Sequence, residues 1–333
     1  MFKKVLIYNS GGGLGDAIQL FTLILSLKNQ FKNCTFCYIG AHKNHFNEKL
    51  KEFNINLETV NLDLKYFGFR WWHLFKVKSK INEKKIDKFD LIIDLQSKLR
   101  NTLILKQIPC YNFFSSTYNF VFCTDKKNYL HKKQANQNLK DISTFVLLNL
   151  EIFLGIKIKK INFSLEMLET KYIEEAKKLL PNSNYIGFSV TQGNQYREKT
   201  WPIDRFIKLA EKYISIDKKA VFFVEKENIE LINYIKKNLP NSIFPEQESK
   251  ISCPALVTTL ASRLEKVITI DNGVMHMLSL AKIPMITLFG PTNSEKFSPK
   301  RDNVKIIDSK ILYDSNDIKK ISVEDVFNIS KII

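Results

Sequence analysis

Val5 to Tyr8 form an unbroken apolar run between Lys3-Lys4 and the polar Asn9-Ser10. A short run of this kind, closed by turn residues, predicts a buried strand over Lys4–Tyr8. After a glycine cluster, Ile18, Phe21, Leu25 and Phe31 recur at helical spacing and predict one helix over Asp16–Gln30. Further strands are expected at Thr35–Ile39, Asp90–Leu95, Cys110–Phe114 and Phe120–Cys123, with a helix over Asp141–Leu154 that stops at Gly155. The second half repeats the alternation. Helices are expected at Glu166–Leu180, Pro202–Tyr213, Ile229–Leu239, Cys253–Arg263 and Val274–Ala281, and strands at Tyr185–Ser189, Ala220–Val224, Lys266–Ile270 and Met285–Phe289. Ser322 and Asp325 have the spacing of a capping box ahead of a last helix. Strands that alternate with helices, and that are apolar on both faces, predict parallel sheets with helices on both sides.

Length turns this pattern into two domains, since 333 residues exceed the usual size of one, about 150. The expected division is 1–162 and 163–333. With 44% hydrophobic residues each half can bury a core. Five cysteines make no disulfide scaffold, and the odd count fits a reducing compartment. Lys3 and Lys4 precede too few apolar residues for a signal peptide, and the longest apolar stretch, Phe145 to Ile156, is interrupted by Asn149 and Glu151. A cytoplasmic protein, or one peripheral to a membrane, is expected. Fifty-one basic against 34 acidic residues give a net charge of +17, which suits an anionic partner. Only six of the basic residues are arginine, however, and so lysine-rich a chain carries a compositional bias that serves equally well as the reason.

Two strand–glycine–helix turns carry the candidate chemistry. The first is Asn9-Ser10-Gly11-Gly12-Gly13-Leu14-Gly15-Asp16. It is a poor dinucleotide fingerprint. Counted from Gly11, the third glycine of that motif is replaced by Asp16, whose carboxylate would repel a pyrophosphate, and the second strand ends in Gly40-Ala41-His42 with no acid for a ribose. Asp16 is either a helix-capping carboxylate or a functional one at the carboxyl end of the sheet. The second turn is Asp271-Asn272-Gly273-Val274-Met275-His276, where backbone N–H groups at a helix start suit a nucleotide diphosphate. Thr191 and Lys199, the latter just ahead of Trp201-Pro202, add a point charge for a phosphate.

Together these segments resemble glycosyltransferase family 9, the family of the ADP-heptose:lipopolysaccharide heptosyltransferases. The resemblance is carried by Gly15-Asp16, by Lys199-Thr200-Trp201-Pro202, by Asp94-Leu95-Gln96 with Arg100, and above all by Asp271-x-Gly273-x-x-His276 followed by Phe289-Gly290-Pro291-Thr292. It implies a GT-B fold, two Rossmann-like domains facing a cleft, with the acceptor on the first and the nucleotide sugar on the second. It further implies inverting transfer of a sugar, a heptose from ADP-heptose, to a lipid-linked lipopolysaccharide-core acceptor, with Asp16 as catalytic base and no obligatory cofactor or metal. Thr191, Lys199, Glu225, Asp271, Asn272, Gly273 and His276 are the residues it assigns to the donor. The chain departs from the family pattern at Asn272, where Thr or Ser is common, and at Val224-Glu225, which lacks a preceding glycine.

Other features compete for a role. Cys34-Thr35-Phe36-Cys37 has redox spacing, but on a strand the odd offset sends the two sulfurs to opposite faces, as core cysteines would be. His42 and His45 lack the acids of a metal site. Arg70-Trp71-Trp72 with Lys76, Lys78 and Lys80 reads either as a membrane or acceptor element, or as a basic helix with packed tryptophans. The rival functions are a nucleic-acid-binding protein, prompted only by charge and lacking any recognition motif, and an inactive family member acting as a partner protein. No nucleic-acid partner is expected.

Overall fold

The apolar runs become central strands because every side chain on them meets a covering layer. Val5, Leu6, Ile7 and Tyr8 are buried, as are Leu91, Ile92 and Ile93 beside them. The computed structural model describes residues 2–9, 12–40, 43–131, 141–193 and 198–332. Ser10 and Gly11 of the first glycine cluster, together with His42, lie outside these. The chain divides into two compact units, Met1–Phe163 and Ser164–Ile333.

The first unit holds β1 (Lys4–Tyr8), β2 (Thr35–Ile39), β3 (Glu58–Thr59), β4 (Phe89–Asp94) and β5 (Cys110–Ser115). They form a parallel sheet in the order β3-β2-β1-β4-β5, with Ile7 opposite Tyr38 on one side and Ile93 on the other. The second unit holds β6 (Tyr185–Ser189), β7 (Lys219–Phe223), β8 (Lys266–Ile270), β9 (Met285–Phe289) and β10 (Val304–Asp308), parallel in the order β10-β9-β8-β6-β7. The orders differ in kind. Counted within each unit, the first sheet runs 3-2-1-4-5, as in dinucleotide-binding folds, and the second 2-1-3-4-5, as in flavodoxin. The strand order therefore reverses between β1 and β4 in the first unit and between β6 and β8 in the second. Ligands of open α/β sheets bind at the carboxyl ends of the strands flanking such a reversal.

Local chemistry sets the helix ends. Asp141 accepts the Thr144 N–H at 2.8 Å to start the helix Ile142–Leu154, and Gly155 ends it at φ 67°. Ser322 and Asp325 exchange backbone N–H bonds at 3.1 and 2.9 Å in the expected capping box. Trp201 is wholly buried edge-on to Phe206, and its indole N–H donates to the Ile321 carbonyl at 2.9 Å.

Three expectations are corrected. The helix expected over Asp16–Gln30 is two, Leu14–Ile18 and Phe21–Gln30. At the break the Leu20 N–H turns back to the Ala17 carbonyl, and the Gln19 carbonyl accepts from the Ser143 hydroxyl at 2.5 Å. Phe120–Cys123 is no strand, because Tyr118, Asn119 and Phe120 all have left-handed φ. Phe120 is nonetheless buried, stacked on Tyr129. The helix expected from Glu166 begins at Thr170, after a 3-10 turn at Leu165–Met167 and an extended Leu168. Of the two readings left open for Trp71 and Trp72, the structure has the exposed one.

Candidate functional site

In the second unit, five sequence-predicted residues meet where β6 and β8 part. Thr191 follows β6 by two residues, and its hydroxyl donates to a Glu225 carboxylate oxygen at 3.0 Å, just beyond β7. Asn272, directly after Asp271 at the end of β8, spans the gap. Its Nδ2 donates to the Ser189 hydroxyl at 3.0 Å and to the Thr191 carbonyl at 2.7 Å, while its Oδ1 accepts the Met275 N–H at 2.7 Å and caps the helix Gly273–Ser279. A single hydroxyl has fewer donor and acceptor sites than the amide, which here bridges both sides and caps the helix at once. Lys199 Nζ donates to Asp271 Oδ2 at 2.7 Å, and its backbone N–H donates to the Gln192 side chain at 2.8 Å. The links close a ring: Thr191 to Asn272, Asp271 to Lys199, and Lys199 back to Gln192. Asp271 is buried and Lys199 half-buried, so the ammonium offsets a carboxylate that would otherwise oppose a phosphate at this edge.

Gly273 opens the helix, and His276 stands one turn in and is buried. Complete desolvation pulls the His276 pKa down to about 4; the Arg301 charge adds to this and Asp271 opposes it. At neutral pH His276 is therefore an uncharged ring, able to give or take one hydrogen bond but not to supply positive charge. Near Glu225, burial and the Glu225 charge push Glu246 up to about 7. Glu246 was not anticipated from sequence, and no local motif marks it.

In the first unit the corresponding edge is built differently. Asn9 follows β1 and Gln96 follows β4. Gln96 Nε2 donates to Asn9 Oδ1 at 2.7 Å, fastening the two sides of the reversal. Asp94 is buried behind them, accepting from the Thr102 hydroxyl at 2.6 Å, the Ser115 hydroxyl at 2.8 Å and the Gln96 N–H at 3.0 Å. Burial raises its pKa against the pull of those bonds. Arg100, quoted in the same motif, instead donates to the Gly68 carbonyl at 2.9 Å. Asp16 stands in the first turn of Leu14–Ile18, and its Oδ2 accepts the Gly13 N–H at 3.2 Å. That is the geometry of a capping carboxylate, on the turn that leaves the carboxyl end of β1. Tyr38, which donates to the Asn9 carbonyl at 3.1 Å, is pushed up to about 12, first by burial and then by the Asp16 charge.

Of the closely spaced cysteines, Cys37 is a core group on β2 and Cys34 is half-buried just ahead of it. Burial pushes both Cys34 and Cys37 up to about 11, which keeps them as thiols. His45 makes a 3.0 Å hydrogen bond with the Gly12 carbonyl.

Known proteins place the chain. The family model described as glycosyltransferase family 9 (heptosyltransferase) matches residues 76–327, a span that leaves out the Asp16 turn. A lipooligosaccharide heptosyltransferase 2 of Campylobacter jejuni is 24% identical over 303 residues, covering 88% of this chain and 84% of that protein. Among solved structures, a glycosyl transferase family 9 protein from Veillonella parvula has a TM-score of 0.66 at 19% identity, covering 99% of this chain and 96% of its own. An E. coli heptosyltransferase solved with ADP-2-deoxy-2-fluoro heptose has 0.65 at 14%, covering 99% of each. The fold is thus of the GT-B class, and with most of its length matched the chain belongs to glycosyltransferase family 9 and is a glycosyltransferase.

Proposed function

We propose that the enzyme transfers a heptose from ADP-heptose to a lipid-linked, lipopolysaccharide-core acceptor, with inversion at the anomeric carbon, in the cytoplasm at the inner membrane. The observation that carries the donor assignment is the hydrogen-bonded ring of Thr191, Lys199, Asp271 and Asn272 across the β6/β8 reversal. An E. coli relative of the same fold was solved with an ADP-heptose analogue, which supports the choice of nucleotide.

In this reading the second unit holds the donor. Lys199 meets the diphosphate as a point charge, drawn there from Asp271 or shared with it. Gly273 lets the backbone come close, neutral His276 contributes a hydrogen bond, and Glu225 accepts from ribose hydroxyls. The first unit holds the acceptor. Asp16 removes the proton from the attacking hydroxyl as the C–O bond to the anomeric carbon forms and the bond to the diphosphate breaks on the opposite face. The electron pair leaves with the nucleotide diphosphate, whose charge Lys199 and the fixed hydrogen-bond donors around it stabilise. The reaction so written assigns no step to a cofactor. The lysine excess is not assigned to nucleic acid.

The test is calorimetric titration of the purified chain with ADP, UDP and GDP, followed by mass-spectrometric detection of sugar transfer from ADP-heptose. ADP should bind most tightly, and should bind more weakly to Lys199→Ala. Equal affinity for all three nucleotides would remove the ADP assignment, and unchanged ADP affinity in Lys199→Ala would remove the site.

A further inference from the structure

The first unit carries a surface that the proposed chemistry does not use. Trp71 is 52%, Trp72 54% and Phe75 85% exposed, an unusual amount of bare aromatic surface in one stretch of chain. The three lie together. Leu74 and Phe75 donate back to the Trp71 and Trp72 carbonyls as the helix His73–Glu83 begins, so positions 71, 72 and 75 share one face at offsets of three and four. The opposite face, His73, Val77 and Ile81, is buried.

This platform is held in place rather than hung on a loose loop. The His73 ring stacks on buried Phe67, and its Nδ1 accepts the Gly68 N–H at 3.2 Å. Gly68 has φ 83°, and a Cβ there would lie 1.9 Å from the Tyr8 hydroxyl, so the strap can follow this path only with glycine. Arg100 holds the Gly68 carbonyl and sets its guanidinium 5.8 Å from the Trp71 ring. Arg70 lies 5.6 Å from the Trp72 ring.

The charge around the aromatics has one sign. From Tyr66 to Lys80 the chain has Arg70, Lys76, Lys78 and Lys80 and no carboxylate. The nearest acids in sequence are already engaged, Asp63 by Lys84 and Glu83 by Lys80. Exposed tryptophan and phenylalanine ringed by Arg and Lys match the two layers of a bilayer surface, an apolar boundary beneath anionic headgroups.

We infer that Trp71, Trp72 and Phe75, with Arg70, Lys76 and Lys78, form a platform that docks the enzyme onto an anionic lipid bilayer. This rests on the lipid-linked acceptor of the proposed function only for its biological sense. Vesicle binding is read without sugar transfer, so each can fail alone.

The chain supplies its own reporter. Of three tryptophans, Trp201 is wholly buried in the second unit, so emission changes on docking come from Trp71 and Trp72. The full chain is mixed with vesicles of phosphatidylcholine alone, or with about a third phosphatidylglycerol, at low and high salt. On the anionic vesicles at low salt the emission should shift to shorter wavelength and be quenched by brominated acyl chains. Phe75→Ser should lower partitioning about tenfold by removing one inserted side chain, and Arg70→Gln or Lys76→Gln about fivefold each. Unchanged ADP affinity and an unchanged circular dichroism spectrum in these surface variants would certify the fold. No blue shift on anionic vesicles, equal partitioning onto neutral ones, or a wild-type dimer that Phe75→Ser dissolves would each overturn the proposal, the last by making a second copy the occupant.

Discussion

Asn9 and Gln96 meet where β1 and β4 part in the first unit, and Asn272 meets Ser189 and Thr191 where β6 and β8 part in the second. In both places a side-chain amide ties together strands that the topology separates. What surrounds the amide differs. In the first unit the nearby carboxylate, Asp94, is buried among hydroxyls and is shifted toward its neutral form. In the second, Asp271 is paired with Lys199. The fastening is shared, and the charge is not. In the proposed reading the first edge, which also carries Asp16, serves the acceptor, and the edge with the ammonium serves the diphosphate. The two sheets differ in how they treat the carboxylate behind the amide.

The sharpest way to break this division is at Asp16. Asparagine caps a helix about as well as aspartate, so Asp16→Asn should keep its fold and its nucleotide affinity. If Asp16 is the base, turnover should fall by about 10²–10⁴. Near-normal turnover in steady-state assays would reduce Asp16 to the cap that its Gly13 bond describes.

Next in size is the acid response of the second unit. His276 has a folded pKa near 4, below its ordinary 6.5. Its neutral form is favoured by folding, so its contribution is complete above pH 6.5 and is lost as pH falls toward 4. Glu246, raised to about 7, acts in the opposite sense: folding favours its protonated form, and that contribution is lost as pH rises through 7. Comparing denaturant unfolding of His276→Gln with wild type isolates the histidine. The stability gap between them should change by about 3 kcal/mol in the variant's favour from pH 6.5 to 4. A constant gap would mean that His276 is not desolvated.

A smaller effect is expected for Lys199→Ala, which should weaken ADP by about 1.5–3 kcal/mol in calorimetry through loss of a charge-assisted contact. The same change exposes Asp271 to the diphosphate without its partner, so Lys199→Ala combined with Asp271→Asn should regain part of the affinity. Without that recovery, the two charges would not be acting as one unit. Smallest is Gln96→Ala, which should cost the first unit about 1 kcal/mol of stability and leave ADP affinity unchanged. A shift in ADP binding would erase the distinction between the two edges.

Much of this was legible in the chain because it is local. Val5 to Tyr8 and Leu91 to Ile93 read as buried strands from their own side chains, and Asp141 with Gly155 brackets a helix within one segment. The Asp271 turn is identifiable for the same reason, whereas Lys199, in so lysine-rich a chain, stands out only through the family resemblance. What escaped depends on distant partners. Gln96 and Asn9 are 87 residues apart in sequence, and Lys199 and Asp271 are 72. Neither alignment nor periodicity says that one unit sends its third strand outside β2 while the other sends it beside β6. Phe120 reads as strand because it is apolar and aromatic, yet Tyr118-Asn119-Phe120 turns through left-handed backbone and buries the ring regardless. Trp72 reads equally as packed or bare, because aromatic composition does not distinguish the two faces of a helix.

The burial of Trp201 against Ile321 bears on the order in which the molecule matures during synthesis. The two partners are 120 residues apart, and Arg205 reaches the same carbonyl at 2.6 Å while Tyr213 meets Ser330 across a similar separation. A nascent chain has all of the first unit available once residue 163 has left the ribosome. In the second unit Phe206 lies beside Trp201 early, but the carbonyl that takes its indole N–H comes from Ile321, near the end of the unit. Contacts of this span form slowly, and the first unit has them too, Ser143 on Gln19 and Ile161 on Ser26. The Lys199-Thr200-Trp201 segment therefore cannot reach its final contacts until the chain through Ile321 has been made. Until then, the Trp201 indole N–H is without its native acceptor.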